Sequence, residues 1–300
     1  MNGQKQTGKY VKAVKILKYF GCYLLLGIGT VLFVILLRIF LIASFKIPSA
    51  SMEPTILPGD FILVNKLIPG PRILTSLNLK DGVKTKRLKG YRPIRRNDIL
   101  VFNFPYAGSW DKIKMNLGQY YVKRCVAIPG DTFYIQNGFY KVAGCSETLG
   151  SYANQAALSE LKEEELQKIG GIYHTFPYDT IRYSWNIKNF GPLYIPRQND
   201  LLPVDSATIR LYKNLIEYET KKEITFAGGT VLLDGKQIDR YLFRQNYYFM
   251  CGDWVPDSRD SRYWGLLPED HIIGKAFLIW KSWDPDSGKF RFNRFFKTMK

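Results

Sequence analysis

Histidine and cysteine are scarce in this sequence. Its 300 residues include two histidines, His174 and His271, and four cysteines that never form a Cys-x-x-Cys pair. Because zinc sites are built from clustered histidine and cysteine ligands, we expect no metal, and nothing indicates a cofactor. A Ser-His-Asp triad has little support for the same reason. The sequence leaves open whether any two of Cys125, Cys145 and Cys251 form a disulfide.

Acidic residues are outnumbered, with 26 Asp and Glu against 43 Lys and Arg, so the net charge is +17. Such an excess favours contact with nucleic acid or phospholipid head groups, and composition alone leaves both open. The densest basic run, KTKRLKGYRPIRR at residues 84–96, is broken by Gly and Pro and lacks the features of a recognition helix or an aromatic-lined sheet. We therefore predict a solvated loop that can touch lipid head groups, and no nucleic-acid partner.

Only one apolar run is long enough to cross a membrane. Residues 19–37 contain no charge, and after Arg38 the run continues to Phe45. About 20 apolar residues span the hydrocarbon core of a bilayer, so we predict a transmembrane helix over residues 19–44. The small residues in ASFKIPSAS raise the alternative of a cleaved signal peptide, but the length of the run favours a retained anchor.

The charge that precedes this run predicts its orientation. Five lysines and no acidic residue lie within residues 1–18. By the positive-inside rule this basic tail stays in the cytoplasm. Residues 45–300 are then expected to form an extracytoplasmic domain.

Beyond residue 45, short runs of β-branched and aromatic residues alternate with Gly, Pro, Asn and Asp. Examples are DFILVNK, NDILVFNF, QYYVKRCVAI, NYYFMCG and GKAFLIWKSW. This pattern predicts a mainly β fold with an antiparallel core. Residues 155–169 and 205–220 look helical instead. We therefore expect an inserted α/β subdomain over about residues 141–229, between core segments of about 45–140 and 230–300.

Two serines, Ser49 and Ser51, follow the apolar run in the stretch PSASMEPT. Flanking prolines restrict the backbone, which suits either a plain turn or a preorganised nucleophile. A serine nucleophile needs a base, and a buried lysine can serve if its pKa falls by about 3–5 units. In YYVKRCVAI, Lys123 alternates onto the face of Tyr121 and Cys125. This stretch alone leaves open a lysine that reaches solvent from a sheet edge.

Four segments together resemble a known family. PSASMEPT, GDFILV, YVKRCVAIPGD and GDWVPDSRDSRYWGLLPED are similar, in order and spacing, to the sequence boxes of bacterial type I signal peptidases. These are membrane-anchored serine proteases that remove signal peptides from exported proteins. The resemblance covers about residues 20–130 and 230–285. One departure is the stretch Trp254-Val255-Pro256, where the family commonly has Asn-Arg after the Gly-Asp pair.

The resemblance implies a role for each matching residue. Ser51 takes the place of the nucleophile, Lys123 that of the general base, and Ser49 that of a hydroxyl donor in the oxyanion hole. Ser258 matches a serine that hydrogen-bonds the lysine and orients it. The residues expected to support the site are Asp260 and Arg262, as an ion pair, with Asp253 and Gly252. The residues expected to line small substrate pockets are Ile47, Ile56, Ile62 and Val122.

The implied activity is cleavage of N-terminal signal peptides after small residues at −1 and −3, through an acyl-enzyme. The expected partners are exported preproteins, the lipid bilayer and the protein export machinery. The expected location is the bacterial inner (cytoplasmic) membrane, with the catalytic domain periplasmic or extracellular.

Two alternatives were weighed against this activity. A self-cleaving Ser-Lys protein of the repressor type is disfavoured because no helix-turn-helix precedes the serines. A vestigial binding or assembly protein on the same fold is the other alternative. The intact set of Ser49, Ser51, Lys123 and Ser258 argues against it.

Overall fold

A computed structural model describes residues 2–76, 84–166, 168 and 174–299. The helices are α1 (Asn2–Phe40), α2 (Tyr152–Glu160), α3 (Glu163–Leu166), α4 (Ile209–Thr220) and α5 (Ser261–Trp264), with 3-10 turns at Val255–Asp257, Glu269–His271 and Phe292–Arg294. The strands are β1 (Ile42–Lys46), β2 (Asp60–Asn65), β3 (Arg72–Ser76), β4 (Lys84–Arg87), β5 (Ile99–Phe104), β6 (Asn116–Ala127), β7 (Thr132–Gln136), β8 (Phe139–Val142), β9 (Phe190–Tyr194), β10 (Leu201–Pro203), β11 (Ile224–Ala227), β12 (Thr230–Leu233), β13 (Lys236–Gln237), β14 (Arg240–Leu242), β15 (Tyr247–Cys251), β16 (Leu267–Pro268), β17 (Ile272–Ser282) and β18 (Lys297–Thr298).

The first helix carries the apolar run. Within α1, Leu17–Phe40 has a mean hydropathy of 2.5 and its apolar side chains are not buried by the rest of the protein. The predicted helix was wrong over residues 41–44, because Ile42–Lys46 forms β1 and pairs antiparallel with β2. In this segment the hydrogen bonds of a sheet replace those of a helix.

A large antiparallel sheet forms the core of the domain, which confirms the mainly β prediction. Its strand order is β1-β2-β17-β5-β6-β15-β16, with β18 beside β17. Alternate side chains of β5 enter two different cores, with Ile99 and Val101 on one face and Leu100 and Phe102 on the other. The sheet is therefore covered on both faces at β5. The neighbouring β6, which carries Lys123, runs beside this fully buried strand.

The accessory region between β6 and β15 is larger than predicted. β7 pairs with both β8 and β9, β10 pairs with β14, and β11 pairs with β12. These small sheets join strands that lie inside and outside residues 141–229. The predicted boundaries were therefore misplaced, because strand partners that are distant in sequence leave no local pattern.

The helices of the accessory region are shorter than predicted. α4 begins at Ile209 rather than 205, after the Asp205 carboxylate accepts hydrogen bonds from the N–H groups of Ala207 and Thr208. Residues 155–169 form part of α2 and the whole of α3, with a break at Leu161. Residues 167 and 169 lie outside the described part of the chain.

The basic run at residues 84–96 is only partly a loop, contrary to the prediction. Lys84–Arg87 is strand β4, which pairs with β3 in a separate two-stranded sheet. Beyond the strand, Arg92 pairs with Asp98 at 2.9 Å and Arg96 pairs with Asp131. Several of these charges therefore have structural partners.

Candidate active site

Lys123 and Ser51 meet at the surface of the large sheet. Lys123 Nζ lies 2.5 Å from Ser51 Oγ, although 72 positions of chain separate the two residues. Lys123 stands opposite Leu100 in the sheet and is only 5% exposed. Burial lowers the pKa of Lys123 to about 8, with Asp260 acting in the opposite direction. A usable fraction of the amine is therefore neutral near physiological pH and can accept the Ser51 proton.

The turn that carries Ser51 is braced from two sides. The Ile47 N–H donates to the Asp60 carbonyl at 2.9 Å, which ties the start of the turn to β2. The buried Asp60 carboxylate pairs with Arg294 at 2.6 Å, and Arg294 also donates to the Thr55 carbonyl at 3.1 Å. A segment near residue 294 therefore holds the turn in place.

The end of β15 approaches the nucleophile closely, and this approach requires glycine at position 252. A Cβ on Gly252 would lie 2.1 Å from Ser258 Oγ and 2.5 Å from the Ser51 carbonyl oxygen. The Trp254 N–H donates to that same carbonyl at 3.1 Å. Because the backbone makes this contact, the departure from the family pattern at Trp254 leaves it intact.

A buried ion pair supports Gly252 from behind. Asp260 and Arg262 are both 0% exposed and lie 2.8 Å apart. Asp260 also accepts a hydrogen bond from the Gly252 N–H at 2.9 Å, and Arg262 donates to the Val255 carbonyl at 2.8 Å. Although burial acts to lower it, the pKa of Arg262 is held well above its usual value by Asp260. The additional hydrogen bonds offset part of the desolvation of both charges, although Arg262 Nη1 has no hydrogen-bond partner among the described residues.

Asp253 ties three segments of the site together. Its carboxylate accepts from Arg124 at 2.7 Å and from the Thr55 hydroxyl at 2.5 Å. Arg124 belongs to β6 and Thr55 to the turn after Ser51, while Asp253 follows β15. The sequence pointed to Asp253 but not to Arg124 or Thr55 as its partners, since period-two alternation only predicted that Arg124 faces away from Lys123.

Ser258 is the residue whose expected contact is not formed here. It is 4% exposed, and its Oγ has no hydrogen-bond partner among the residues that the structure describes. Lys123 Nζ is bonded to Ser51 Oγ instead. The Ser258–Lys123 hydrogen bond implied by the resemblance is therefore absent in this state, although Ser258 lies within the same buried cluster.

An open cavity of about 550 Å³ lies beside the two catalytic candidates. One wall consists of residues 45–52 and the other of residues 119–123, with Asp257 and Arg259 at the edge. Ser49 is exposed on the first wall.

Two of the four expected pocket residues line this cavity. Ile47 and Val122 do so, whereas Ile56 and Ile62 are 0% exposed and pack in the core behind it. Ile62 faces inward because alternate side chains of β2 enter that core. The sequence missed Phe45 and Tyr120, whose rings lie 5.2 Å apart at the cavity wall.

The four cysteines are free thiols in this structure. Cys125 and Cys251 are buried on the neighbouring strands β6 and β15, but Cys125 is paired with Met250 and Cys251 with Arg124. Their offset along the strands keeps the two thiols from facing each other directly.

A partly neutral amine bonded to a serine hydroxyl, beside an open cavity, is the arrangement expected of a serine peptidase that uses a lysine base. The antiparallel sheet and the membrane-length helix complete this class of protein. The chain belongs to a family with these features: a family model described as signal peptidase, peptidase S26, matches residues 22–283.

Relatives from several bacteria support this assignment. The chain is 30% identical over 268 residues to signal peptidase I of Pseudomonas aeruginosa, which covers 85% of this chain and 70% of that protein. It is 28% identical over 265 residues to signal peptidase I of Buchnera aphidicola from Schizaphis graminum, covering 85% and 73%. With signal peptidase I of Aquifex aeolicus, it is 28% identical over 264 residues, covering 84% and 80%. The chain is therefore a membrane-anchored serine endopeptidase of the signal peptidase type.

Proposed function

We propose that this enzyme removes N-terminal signal peptides from exported preproteins, with Ser51 as the nucleophile and Lys123 as the general base. The observation that carries the proposal is the distance of 2.5 Å between Lys123 Nζ and Ser51 Oγ. The burial that lowers the pKa of Lys123 and the adjoining cavity support it further.

In the proposed acylation step, neutral Lys123 takes the proton of Ser51 while the Oγ attacks the carbonyl carbon of the scissile bond. The resulting Lys123 ammonium then gives a proton to the leaving amine, which is the new N-terminus of the mature protein. The signal peptide remains as an ester on Ser51. Lys123, neutral again, takes a proton from water, whose oxygen attacks the ester. The ester bond then breaks, the Lys123 ammonium returns its proton to Ser51 Oγ, and the signal peptide is released with a new carboxylate.

Ser49 and Ser258 have supporting roles in this proposal. The Ser51 N–H and the Ser49 hydroxyl donate to the oxyanion, and each such donor contributes about 10²–10³ in rate. Ser258 has a buried hydroxyl without a partner among the described residues, and such groups are rare in folded proteins. We assign it to the Lys123 ammonium, which needs a new acceptor once Ser51 Oγ has attacked the substrate carbonyl and before the leaving amine takes the proton.

The cavity walls account for the proposed preference for small residues at −1 and −3. Ile47, Val122 and Phe45 bring apolar side chains to a narrow groove. A small substrate side chain fits against such walls, whereas a bulky one would force the substrate backbone away from Ser51. Restricted volume therefore selects Ala-like residues.

The proposed location follows from the helix and its charge. Leu17–Phe40 would span the bacterial cytoplasmic membrane, with the basic tail in the cytoplasm and the catalytic domain outside. Ser51 lies only a few residues beyond the end of α1, through the short strand β1. A preprotein delivered by the export machinery would present its cleavage site at the same bilayer surface.

The direct test uses full-length enzyme in detergent with a preprotein that has alanine at −1 and −3. Ser51→Ala and Lys123→Ala should each reduce cleavage to background, while the exposed control variants Ser109→Ala and Lys141→Ala retain the wild-type rate. Cleavage by Ser51→Ala at the wild-type rate would refute the proposal. Labelling of Ser51 by a serine-directed acylating probe would exclude a vestigial scaffold, which should not react.

A further inference from the structure

Residues 66–96 carry an excess of charge that the peptidase site does not use. Ten basic residues and one acidic residue lie in this segment, so it supplies +9 of the chain's net +17. Its regular part is the β3–β4 hairpin, which forms a two-stranded sheet separate from the large sheet. The two faces of this hairpin have different surroundings.

The inner face is attached to the domain by two arginines. Arg72 and Arg87 are partners in the register of the hairpin. Arg72 donates to the Asp270 carbonyl at 2.8 Å, while Arg87 donates to the Glu269 carbonyl at 2.8 Å and to the Ile272 carbonyl at 2.5 Å. These bonds fix which side of the hairpin faces the domain.

Strand alternation places the neighbouring residues on the outer face. Ile73 and Lys86 are register partners there, and Leu88 continues the same face. Ile73 is 37% and Leu88 42% exposed. Lys86 and Lys89 are also exposed, and neither side chain has a hydrogen bond or ion pair to any residue in the described ranges. Basic side chains without a partner, placed among exposed apolar side chains, are typical of a surface that binds a membrane.

The base of the hairpin lies beside the end of the apolar helix. Lys66 Nζ donates to the carbonyls of Arg38 at 2.6 Å and Ile39 at 3.2 Å, in the last turn of α1. The next residue, Leu67, accepts a hydrogen bond at its carbonyl from the Tyr91 N–H at 3.1 Å. A helix that spans the bilayer ends at the lipid–water interface, so the exposed side chains of Leu67 and Tyr91 lie near the level of the head groups.

Two glycines fix the direction in which the hairpin leaves this point. A Cβ on Gly70 would lie 1.8 Å from the Leu88 carbonyl oxygen, and one on Gly90 would lie 2.1 Å from the Ile68 carbonyl oxygen. The two segments therefore cross in direct backbone contact. The outer face is held at a set angle to the helix end rather than on a loose connection.

We propose that the outer face of the hairpin docks on the anionic lipid surface of the membrane that holds α1. The docking face consists of Leu67, Ile73, Lys86, Leu88, Lys89 and Tyr91. The proposal rests on the membrane anchoring in the proposed function and adds a second contact to it. A single helix allows the domain to tilt and rotate, whereas two contacts fix the height of the catalytic cavity above the bilayer.

The test places an environment-sensitive fluorophore on full-length protein in vesicles that contain nitroxide-labelled lipids. One sample carries it at Leu88→Cys in a Cys22→Ser/Cys145→Ser background, and a second carries it on native Cys22, which is exposed on α1. Both samples also carry Ser51→Ala, so that the position of each fluorophore relative to the membrane is measured without catalysis. In vesicles that contain phosphatidylglycerol, we expect head-group nitroxides to quench position 88 and acyl-chain nitroxides to quench position 22.

A charge-reversal variant and a matched control complete the test. Lys86→Glu/Lys89→Glu should lose most of the quenching at position 88, and so should the unchanged protein in neutral phosphatidylcholine vesicles. Lys236→Glu/Arg240→Glu, which makes the same charge change on exposed residues of the accessory region, should retain the quenching.

The possible failures are distinguishable. Quenching at position 22 without quenching at position 88 overturns the docking face and leaves the anchor intact. No quenching at either position overturns the membrane anchor and the docking face together. Protection of position 88 only after a preprotein is added would identify a polypeptide contact and overturn the lipid assignment.

Discussion

Two lysines with different surroundings can be compared, one buried near Ser51 and the other half-buried at the end of α1. Lys123 lies in the sheet beside Ser51, and Lys66 lies at the end of the membrane-length helix. Burial is the largest influence on both, and it lowers the pKa of each. Their hydrogen-bond partners separate them: Lys123 donates to a hydroxyl, whereas Lys66 donates to the two backbone carbonyls of Arg38 and Ile39.

These partners favour different roles for the two lysines. Carbonyls at the C-terminal end of a helix carry partial negative charge and favour a cation, which opposes the effect of burial on Lys66. A hydroxyl gives much less stabilisation to the charged amine, and it can itself give up a proton. Lys123 is therefore suited to catalysis and Lys66 to holding the helix end against the domain.

The largest expected effect comes from replacing each lysine by arginine in turn. Arginine stays protonated in proteins, so Lys123→Arg should lower kcat/KM by about 10⁴-fold or more, as for loss of a catalytic base. Lys66→Arg should change it by less than about twofold, because a guanidinium can donate to both carbonyls. Cleavage of a preprotein by both purified variants measures this, and near-wild-type activity of Lys123→Arg would contradict the assignment.

A smaller effect is expected on stability, and it is larger for Lys123 than for Lys66. The pKa of Lys123 is about 8 in the folded protein and 10.5 unperturbed, so at pH 7 its charge destabilises the fold by about 3 kcal/mol. Lys123→Met should raise the free energy of unfolding by that amount at pH 7, and the gain should shrink as pH rises from 8 to 10.5. Lys66→Met, the matched control, should change it less, because the lowered pKa of Lys66 acts in the same direction but the substitution also removes two hydrogen bonds to carbonyls.

Denaturant titrations of the full chain in detergent, at pH 7 and near pH 10, compare the two variants with the parent. If the Lys123→Met protein is less stable than its parent at pH 7, the charge on Lys123 does not destabilise the fold, which would contradict this prediction.

The smallest expected effect is on the pH dependence of kcat/KM. Lys123 must be neutral to act, so kcat/KM should fall by about tenfold per pH unit below pH 8 and level off above it. A short soluble peptide substrate keeps membrane effects out of the profile. Lys66→Met should show the same acidic limb, and a rate that is flat between pH 6 and 9 would exclude Lys123 as the titrating base.

Local sequence patterns predicted the strands of the core and the face on which Lys123 lies. The apolar alternation around Lys123 placed it on the same face as Tyr121 and Cys125, and both belong to or pack against one core. The ion pair of Asp260 and Arg262 is two residues apart and was equally accessible to a motif-based prediction.

Features that depend on distant partners could not be predicted in this way. Ile56 and Ile62 are apolar, as pocket residues would be, but Ile62 on β2 and Ile56 in the preceding turn are buried in one core with side chains of β5 and β17. Arg87 belongs to the basic run that was predicted to be solvated, but it donates to the carbonyls of Glu269 and Ile272. Arg72, outside that run, donates to the Asp270 carbonyl, and no local pattern indicates either contact. The partner of Asp60 lies 234 positions away, at Arg294.

That last contact has a consequence for when the enzyme becomes active. Asp60 is fully buried, and without Arg294 it would be a charge without a counter-ion beneath the turn that presents Ser51. During synthesis the nucleophile leaves the ribosome more than two hundred residues before its brace. The turn that carries Ser51 therefore lacks its support until residue 294 has been synthesised and has paired with Asp60.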